Sequence, residues 1–271
     1  MRKLYFNLRQ FAFTILDKLT KKNGVAITVN GLKLKVPGRF YKYFEPHYES
    51  NNFSFFIKMA KPGMTCLDIG SHIGIYSVYM ARFCEAIVFS FEPSPVTMNI
   101  LKQIIALNHC EEKIKPFAVA ITEHSGIRDF YLNKHATRQT ETISVAEANA
   151  LQTRDLGKTI ITETIQVTTI SIDDFAEQNH TRINFIKIDA EGSELEILRG
   201  ARKTFLKDKP SGILGIHTFF SADKKQRLSE IWQIMNEFDC QLLFQNEDLS
   251  LEQLLSMSGM DLFDLQFLPK A

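Results

Sequence analysis

The feature that most constrains the fold is the alternation of apolar strands and helices that begins at residue 65. Thr65–Ile69 and Ala86–Phe91 have the composition of buried strands, and Gly74–Phe83 and Pro95–Leu107 that of helices. Gly126–Leu132 and Ile160–Ile170 look like added strands. The α/β rhythm then resumes with a strand over Ile183–Asp189 and a helix over Ser193–Leu206. Strands that alternate with helices favour a parallel sheet with helices on both of its faces. The sequence therefore predicts an α/β domain.

An extension precedes this α/β pattern. Apolar residues recur at helical spacing over 4–19, with Lys and Arg on the other faces. Such a helix either packs on the domain or contacts a membrane surface or a partner. An Asn-Gly pair between Val25–Val29 and Leu32–Val36 is typical of a β-hairpin. We therefore expect an N-terminal helix and hairpin extension over 1–48 and the main domain over 49–271.

Composition limits the classes of function. The 271 residues are 45% hydrophobic, and 32 Lys and Arg face 31 Asp and Glu. A protein that binds nucleic acid usually has an excess of basic residues, whereas the charges of this chain nearly cancel. A nucleic acid is therefore not expected as a partner. No apolar run is long enough for a transmembrane segment. The four cysteines lack metal-binding spacing and fit a reducing compartment, which predicts a cytoplasmic protein.

The loop between the first strand and helix of the pattern is the first candidate for cofactor binding. It contributes Asp68, Gly70, Ser71, His72 and Gly74. The glycines allow a tight turn and a close approach to a ligand. A dinucleotide site would need a third glycine and no acid beside the pyrophosphate. The acidic loop instead suits S-adenosyl-L-methionine, which carries a sulfonium and no phosphate.

A second candidate follows the next strand. Glu92 ends that strand about 20 residues after the loop, where an acid can accept the hydroxyls of an adenosyl ribose. Pro93 and Ser94 then lead the chain away from the sheet. Two acids at the ends of neighbouring strands make S-adenosylmethionine the predicted cofactor.

Three blocks of the chain are similar to the FkbM-type methyltransferases. They are LDIGSHIGIYS, the FEPSP of Phe91–Pro95, and the run Lys187–Ala201 with the preceding TISIDDF. The family commonly has Ala-Asn in place of Ser71-His72, and often a Glu where this chain has Gly215. The resemblance covers roughly residue 45 to the end. It implies a Rossmann-like class I fold with a mostly parallel seven-stranded sheet, and methyl transfer from S-adenosylmethionine, usually to a hydroxyl of a saccharide or other small metabolite.

The third block also contains two of the three predicted catalytic residues, and the third follows it in the chain. Asp189 and Glu191 follow a buried strand, and His217 ends another. Deprotonation of a hydroxyl acceptor calls for a base, and an ordinary imidazole pKa makes His217 the first choice, with Asp189 and Glu191 as rivals. Asp189 is also expected to contact the cofactor. These three side chains have donor types that suit a divalent metal, but no metal site is predicted. Glu194 is either a helix-cap carboxylate or functional.

Other interpretations remain at this stage. An NAD-dependent oxidoreductase is disfavoured by the missing third glycine and by Asp68. A catalytically inactive cofactor-binding partner protein would keep the same pocket. The aromatic stretch Phe40–Tyr48 would either stack on a sugar or belong to the core. The sequence leaves open the identity of the acceptor, O- against N-methylation, the oligomeric state and the role of the polar 133–158 segment.

Overall fold

A computed structural model describes residues 15–20, 23–41, 43–132, 142–143, 163–218 and 221–270. The strands are β1 (Val25–Val29), β2 (Leu32–Val36), β3 (Thr65–Ile69), β4 (Ile87–Phe91), β5 (Ile114–Phe117), β6 (Ala120–Ile121), β7 (Gly126–Leu132), β8 (Thr142–Ile143), β9 (Glu163–Ile170), β10 (Phe185–Ile188), β11 (Ser211–His217), β12 (Cys240–Phe244), β13 (Glu247–Asp248) and β14 (Leu262–Pro269). The helices are α1 (Ser50–Met59), α2 (Ile75–Cys84), α3 (Pro95–Leu107), α4 (Ile172–Gln178), α5 (Glu194–Arg199), α6 (Arg202–Asp208), α7 (Lys224–Glu237) and α8 (Leu251–Ser256).

The large sheet has the order β13-β12-β14-β11-β10-β3-β4-β5. Neighbours from β11 to β5 run parallel, whereas β14 runs antiparallel to β11 and β12. Without the two-residue β13, this is the predicted mostly parallel, seven-stranded Rossmann-like sheet, and the fold prediction is confirmed. Within this sheet, the chain first forms β3, then β4 and β5 on one side of it, and later β10 and β11 on its other side. The carboxyl ends of strands at such a switch point form a ligand crevice.

Both faces of this sheet are buried, which explains its apolar strands. All four residues of β10 are buried. Along β3, Cys66 packs into one apolar cluster with α1, α2 and α3, whereas Leu67 packs into the other with α4 to α7. Successive side chains of a strand point to opposite faces, so one short strand anchors both layers.

A second sheet has the order β6-β9-β7-β8. The predicted strand Gly126–Leu132 is confirmed, and Ile160–Ile170 is strand from residue 163 onward. These strands pair with each other, antiparallel, rather than extending the large sheet. Apart from 142–143, the 133–158 segment lies outside the described residues.

The β-hairpin is confirmed, and it packs on the main domain. Val29, Leu34 and Val36 are buried in the apolar cluster that also contains residues of α2 and α3. The Asn108 side chain accepts from the Lys35 amide at 2.8 Å and donates to its carbonyl at 2.7 Å. The division at residue 48 stays a prediction.

Only the end of the predicted N-terminal helix is described. Residues 15–20 are helical, and Asp17 pairs with Arg39 at 2.6 Å. The first fourteen residues, and with them the membrane or partner contact proposed for this helix, lie outside the described residues. Within the described part of the chain, no helix combines the length and the apolar character that crossing a membrane requires.

One predicted helix is wrong in its extent. The segment Ser193–Leu206 forms two helices, α5 and α6, because the helical bonding breaks at Gly200. A Cβ at Gly200 would lie 2.6 Å from the Thr122 carbonyl oxygen, so the chain passes close to the second sheet there. The carboxylate of Asp173 accepts from the Lys203 and Thr204 amides at 2.9 and 2.8 Å, which starts α6 afresh.

Candidate active site

A cavity of about 700 Å³ opens at the carboxyl ends of β3, β4, β10 and β11. The second sheet, β14 and the aromatic stretch before α1 complete its wall. The residues singled out in the sequence that line this cavity are Gly70, Ser71, His72, Gly74, Glu92, Pro93, Asp189, Glu191 and His217. Long-range folding therefore brings the candidate cofactor loop and the candidate catalytic residues into one site.

The loop after β3 is held against the chain that follows β10. Gly70 has a φ of +70°, and a Cβ on it would lie 1.9 Å from the Asp189 carbonyl oxygen. The Gly70 and Ser71 amides both donate to the carbonyl of Phe91, at 3.1 and 3.0 Å. Only glycine fits this contact, so the loop brings two strand ends together.

Asp68 and Ser94 lie behind the cavity wall rather than on it. Asp68 is fully buried, and its carboxylate accepts from Ser77, whose hydroxyl lies 2.7 Å from that of Ser90. Burial raises the pKa of Asp68. Ser94 caps α3 by accepting from the Thr97 amide at 3.3 Å. This placement supports a bracing role for both residues beneath the cofactor loop.

Glu92 is a buried carboxylate that faces the cavity. One oxygen accepts from the Ser94 amide at 2.9 Å, and the other accepts from the His72 amide at 3.1 Å. Burial raises the pKa of Glu92 to about 7, although the two amide hydrogen bonds oppose this. The pKa of His72 is lowered to about 4 by burial, which keeps its imidazole neutral.

A chain of charged groups forms the opposite side. Lys187 Nζ lies 2.9 Å from Asp189 Oδ2, and His217 Nε2 lies 3.6 Å from Asp189 Oδ1. His217 Nδ1 then lies 2.7 Å from Glu194 Oε1, and Arg227 lies 2.8 Å from Glu194 Oε2. Within the described part of the chain, no group of acids, histidines or cysteines is arranged to hold a metal ion. The two acids of this charged row, Asp189 and Glu194, are paired with cationic side chains instead.

These pairs set the protonation states of the predicted catalytic residues. Burial disfavours the His217 imidazolium, but Glu194, Asp189 and Glu191 outweigh it and raise the pKa of His217 to about 9. Burial likewise acts to raise the pKa of Asp189, yet Lys187 and His217 hold it below its usual range. The expectation of an ordinary imidazole pKa for His217 is therefore wrong, because the acids around it stabilise the cation.

Lys187 and Asp264 are two charged side chains of the cavity wall that sequence reasoning missed. Lys187 stands in the fully buried strand β10, with Nζ 4.8 Å from the ring centroid of Tyr76. A lysine within an otherwise apolar strand indicates that an acidic partner or a site lies nearby, because a buried charge needs a partner. Asp264 on β14 also lines the cavity. The sequence does mark it, because Asp264 and Gln266 are polar residues at alternate positions of an otherwise apolar strand.

The aromatic stretch divides between the two interpretations of it. Phe40 is buried in the core, whereas Tyr43, Phe44 and Tyr48 line the cavity. Their rings contact one another edge to face, with centroids 4.7 Å apart for Tyr43 and Phe44 and 5.0 Å apart for Phe44 and Tyr48. We call these three residues the aromatic wall. All three residues also pack against the apolar core on their other side.

Comparison with known families decides the class of protein. Residues 68–242, more than half of the chain, match the Methyltransferase FkbM domain. The chain belongs to the FkbM methyltransferase family. This confirms the resemblance to the FkbM-type methyltransferases and S-adenosylmethionine as the cofactor of that family.

Individual relatives are distant. The chain is 28% identical to methyltransferase sdnD of Sordaria araneosa, over 49% of this chain and 59% of the relative. It is 27% identical to the hexuronic acid methyltransferase AglP of Haloferax volcanii, over 49% of this chain and 48% of the relative. The chain thus spans about half of the length of these relatives. A crystal structure of methyltransferase FkbM from Methylobacillus flagellatus KT aligns over 79% of this chain and 50% of its own, with 15% identity and a TM-score of 0.48.

Proposed function

We propose that the chain transfers a methyl group from S-adenosylmethionine to a hydroxyl oxygen of a saccharide or other small metabolite. The observation that carries this proposal is the pairing of two walls in one cavity. Glu92 and the Gly70–Gly74 loop form one wall, and the aromatic wall lies in the same cavity. Aromatic faces suit the apolar faces of a sugar ring. The similarity to a hexuronic acid methyltransferase supports the saccharide class.

The cavity fits this cofactor in size and charge. Its volume of about 700 Å³ lies within the usual range of small-molecule sites. On its wall, carboxyl side chains outnumber lysines and arginines seven to four. The carboxyl residues are Glu49, Glu92, Asp129, Asp189, Glu191, Glu196 and Asp264. Such a wall attracts a sulfonium and an ammonium group, and it disfavours a phosphate backbone, so a nucleic acid is not the proposed acceptor.

The residues of the chain bind and orient the reactants. When bound, the cofactor supplies an electrophilic methyl group on a positively charged sulfur. Glu92 would accept the ribose hydroxyls, and the Gly70–Gly74 loop would follow the methionine portion. The ion pair of Lys187 with Asp189 keeps this side of the cavity in one arrangement. Holding two reactants in line contributes about 7–11 kcal/mol in favourable cases, so positioning accounts for much of the expected acceleration.

Cofactor affinity is expected to depend on the ionisation of Glu92. A protonated carboxyl accepts ribose hydroxyls poorly, so S-adenosylhomocysteine should bind more tightly as pH rises from 5.5 to 8. Because the pKa of Glu92 is about 7, affinity should rise about tenfold per pH unit below that value and level off above it. Isothermal titration calorimetry at several pH values measures this dependence.

Glu92→Gln is expected to remove the pH dependence and to weaken binding at pH 8 by about tenfold or more, the usual weight of a charged hydrogen bond. The matched control is Glu237→Gln, which removes an exposed carboxylate on α7. It should leave the titration unchanged. Equal affinity and an equal pH profile in the wild type and Glu92→Gln would show that Glu92 does not hold the ribose.

The methyl acceptor is tested by transfer of a labelled methyl group. The probes are methyl glycosides of glucose, galactose, mannose and glucuronic acid, and NMR of the product identifies the methylated atom. We expect an O-methyl ether from at least one probe. Methyl glucosaminide is added as a probe with a free amino group, and label on its nitrogen but on no hydroxyl would contradict the O-methylation proposal. Tight S-adenosylhomocysteine binding with no transfer to any probe would favour the inactive cofactor-binding alternative.

We also propose a cytoplasmic location. All four cysteines (Cys66, Cys84, Cys110 and Cys240) are buried and free. Burial raises the pKa of the Cys66 and Cys240 thiols, which makes them inert. Unpaired thiols in the core support a reducing compartment. Fractionation of the source cells, followed by detection of the chain, tests this location.

A further inference from the structure

Asp264 is an acid of the cavity wall to which the sequence assigned no role. It lies on β14, directly opposite Gly215 of β11 in the antiparallel register. Its Oδ2 accepts from Asn52 Nδ2 at 2.8 Å, and Asn52 Oδ1 in turn accepts from Gln266 Nε2 at 2.7 Å. Asn52 and Gln266 are both buried. Two buried amides therefore hold one oxygen of Asp264 in a fixed position.

Gly215, the register partner of Asp264, lies directly beside the Asp189 carboxylate. A Cβ at Gly215 would lie 3.2 Å from Asp189 Oδ1, so a larger side chain there would crowd the Asp189 carboxylate. Glycine at this position therefore leaves the Asp189 carboxylate in place beside the strand that carries Asp264. Both acids line the same cavity. An acceptor bound in this cavity therefore has access to Asp264.

The surroundings of Asp264 suit proton transfer. Burial, reinforced by Glu49 and Asp189, raises the pKa of Asp264 to about 6, and the Asn52 hydrogen bond and Lys187 oppose this. The titratable and charged groups that face it are Glu49 and Tyr48 before α1, Tyr76 on α2, and Lys187 and Asp189 on and after β10. A base works best when its pKa lies close to the working pH but the group is still ionised.

The other candidates of the same cavity meet this condition less well. His217 is held as a cation by Glu194, with a pKa of about 9, and a protonated imidazole has no lone pair to accept a proton. Asp189 is ionised but paired with Lys187 at 2.9 Å, and its pKa is held low. Asp264 Oδ2 is engaged by a neutral amide instead, which leaves its carboxylate more basic.

We propose that Asp264 is the general base that takes the proton from the acceptor hydroxyl. The inference rests on the proposed O-methyltransferase function. The acceptor oxygen forms the new bond to the methyl carbon, and the methyl–sulfur bond breaks with its electron pair left on sulfur. The hydroxyl proton passes to the Asp264 carboxylate and later to solvent. Asn52 and Gln266 are positioning residues, since they act through Asp264.

The test is the pH profile of kcat/KM for the neutral methyl glycosides, measured with S-adenosylmethionine saturating at every pH so that the ionisation of Glu92 does not shape the profile. In the wild type, the rate should rise about tenfold per pH unit up to about pH 6 and then level off. Asp264→Asn keeps the size of the side chain and should lower the rate by about 10²–10⁴-fold, without that acid limb. Its affinity for S-adenosylhomocysteine and its melting temperature should stay close to those of the wild type.

Two further variants make the result decisive. Asp261→Asn is the matched control, because Asp261 lies three residues earlier and its side chain is 72% exposed. It should keep the wild-type rate and profile. Asp264→Glu restores a carboxylate and should recover part of the rate together with the acid limb. A structural role alone would not return the pH dependence.

The outcomes separate this inference from the proposed function. If the wild type methylates a neutral glycoside and Asp264→Asn does so equally well, Asp264 is not the base. A wild-type profile that rises through pH 9 would assign the proton to His217 and overturn the proposal. If the wild type methylates neither the neutral glycosides nor the glucuronic acid glycoside, the proposed transfer to a saccharide fails, and the base inference fails with it.

Discussion

Glu194→Gln is expected to destabilise the fold by about 3–5 kcal/mol, the usual cost of removing one partner from a buried ion pair. Glu194 is fully buried and binds three donors. It accepts from the Gly192 amide at 2.9 Å, lies 2.7 Å from His217 Nδ1 and pairs with Arg227 at 2.8 Å. Glutamine has the same shape but no charge, so it would leave the buried His217 and the largely covered Arg227 without their shared anion.

Chemical denaturation measures this loss, and a melting scan should show a decrease of roughly 10 °C, given a few degrees per kcal/mol in a chain of this size. The matched control is Glu196→Gln, two residues later on α5. Glu196 pairs with Arg128 at 2.8 Å, but both side chains are about two-fifths exposed. Exposed pairs contribute about 0–1 kcal/mol, so this variant should be nearly neutral. Equal losses in the two variants would contradict the assigned role of Glu194.

The same network gives stability a defined pH dependence. Folding raises the pKa of His217 to about 9, so its contribution is complete below pH 6.5 and is lost as pH rises through 9. Folding lowers the pKa of Glu194, so its contribution is lost in acid instead. The wild type should therefore lose stability between pH 7 and 9.5. Glu194→Gln should lose less over that range, because the strongest partner of the imidazolium is gone.

Local patterns in the sequence predicted much of the fold. The Asn-Gly hairpin has the predicted bounds, and α3 begins at Pro95 after the Ser94 cap, as local chemistry requires. The prediction of one helix over 193–206 was wrong, because the helix breaks at Gly200, where the chain passes close to Thr122, a residue far away in the sequence. A contact of that kind leaves no trace in helical spacing.

For the site, the sequence predicted which residues take part but not the environment in which they lie. The motifs placed Glu92, Asp189 and His217 in one cavity. They did not reveal that Asp68 lies beneath the loop, or that Glu194 and Asp189 hold His217 as a cation. Protonation depends on burial and on neighbours contributed by other strands. The position of Asp264 in the site depends on the register of two strands distant in sequence, which places it opposite Gly215.

Gly70→Ala is the second substitution with a large expected effect. Alanine would carry both the strain of a φ of +70° and a Cβ 1.9 Å from the Asp189 carbonyl oxygen. The oxygen that this Cβ would meet belongs to the backbone and cannot rotate away. The loop after β3 and the chain after β10 would therefore have to move apart. We expect a loss of stability of about 2–5 kcal/mol, the sum of left-handed strain and overpacking. S-Adenosylhomocysteine affinity should fall at least tenfold, because the displaced loop forms the cofactor wall.

Gly63→Ala separates the two causes. Gly63 has nearly the same φ, +71°, but a Cβ there would meet nothing within 4 Å. Its substitution carries the left-handed strain alone, about 1–2 kcal/mol, and should leave cofactor affinity unchanged. Urea denaturation and calorimetric titration of both variants give the comparison. The difference between them measures how closely the cofactor loop is bound to the strand end that carries Asp189. A difference below about 0.5 kcal/mol, within the scatter of ordinary surface substitutions, would mean that the two segments are not in firm contact.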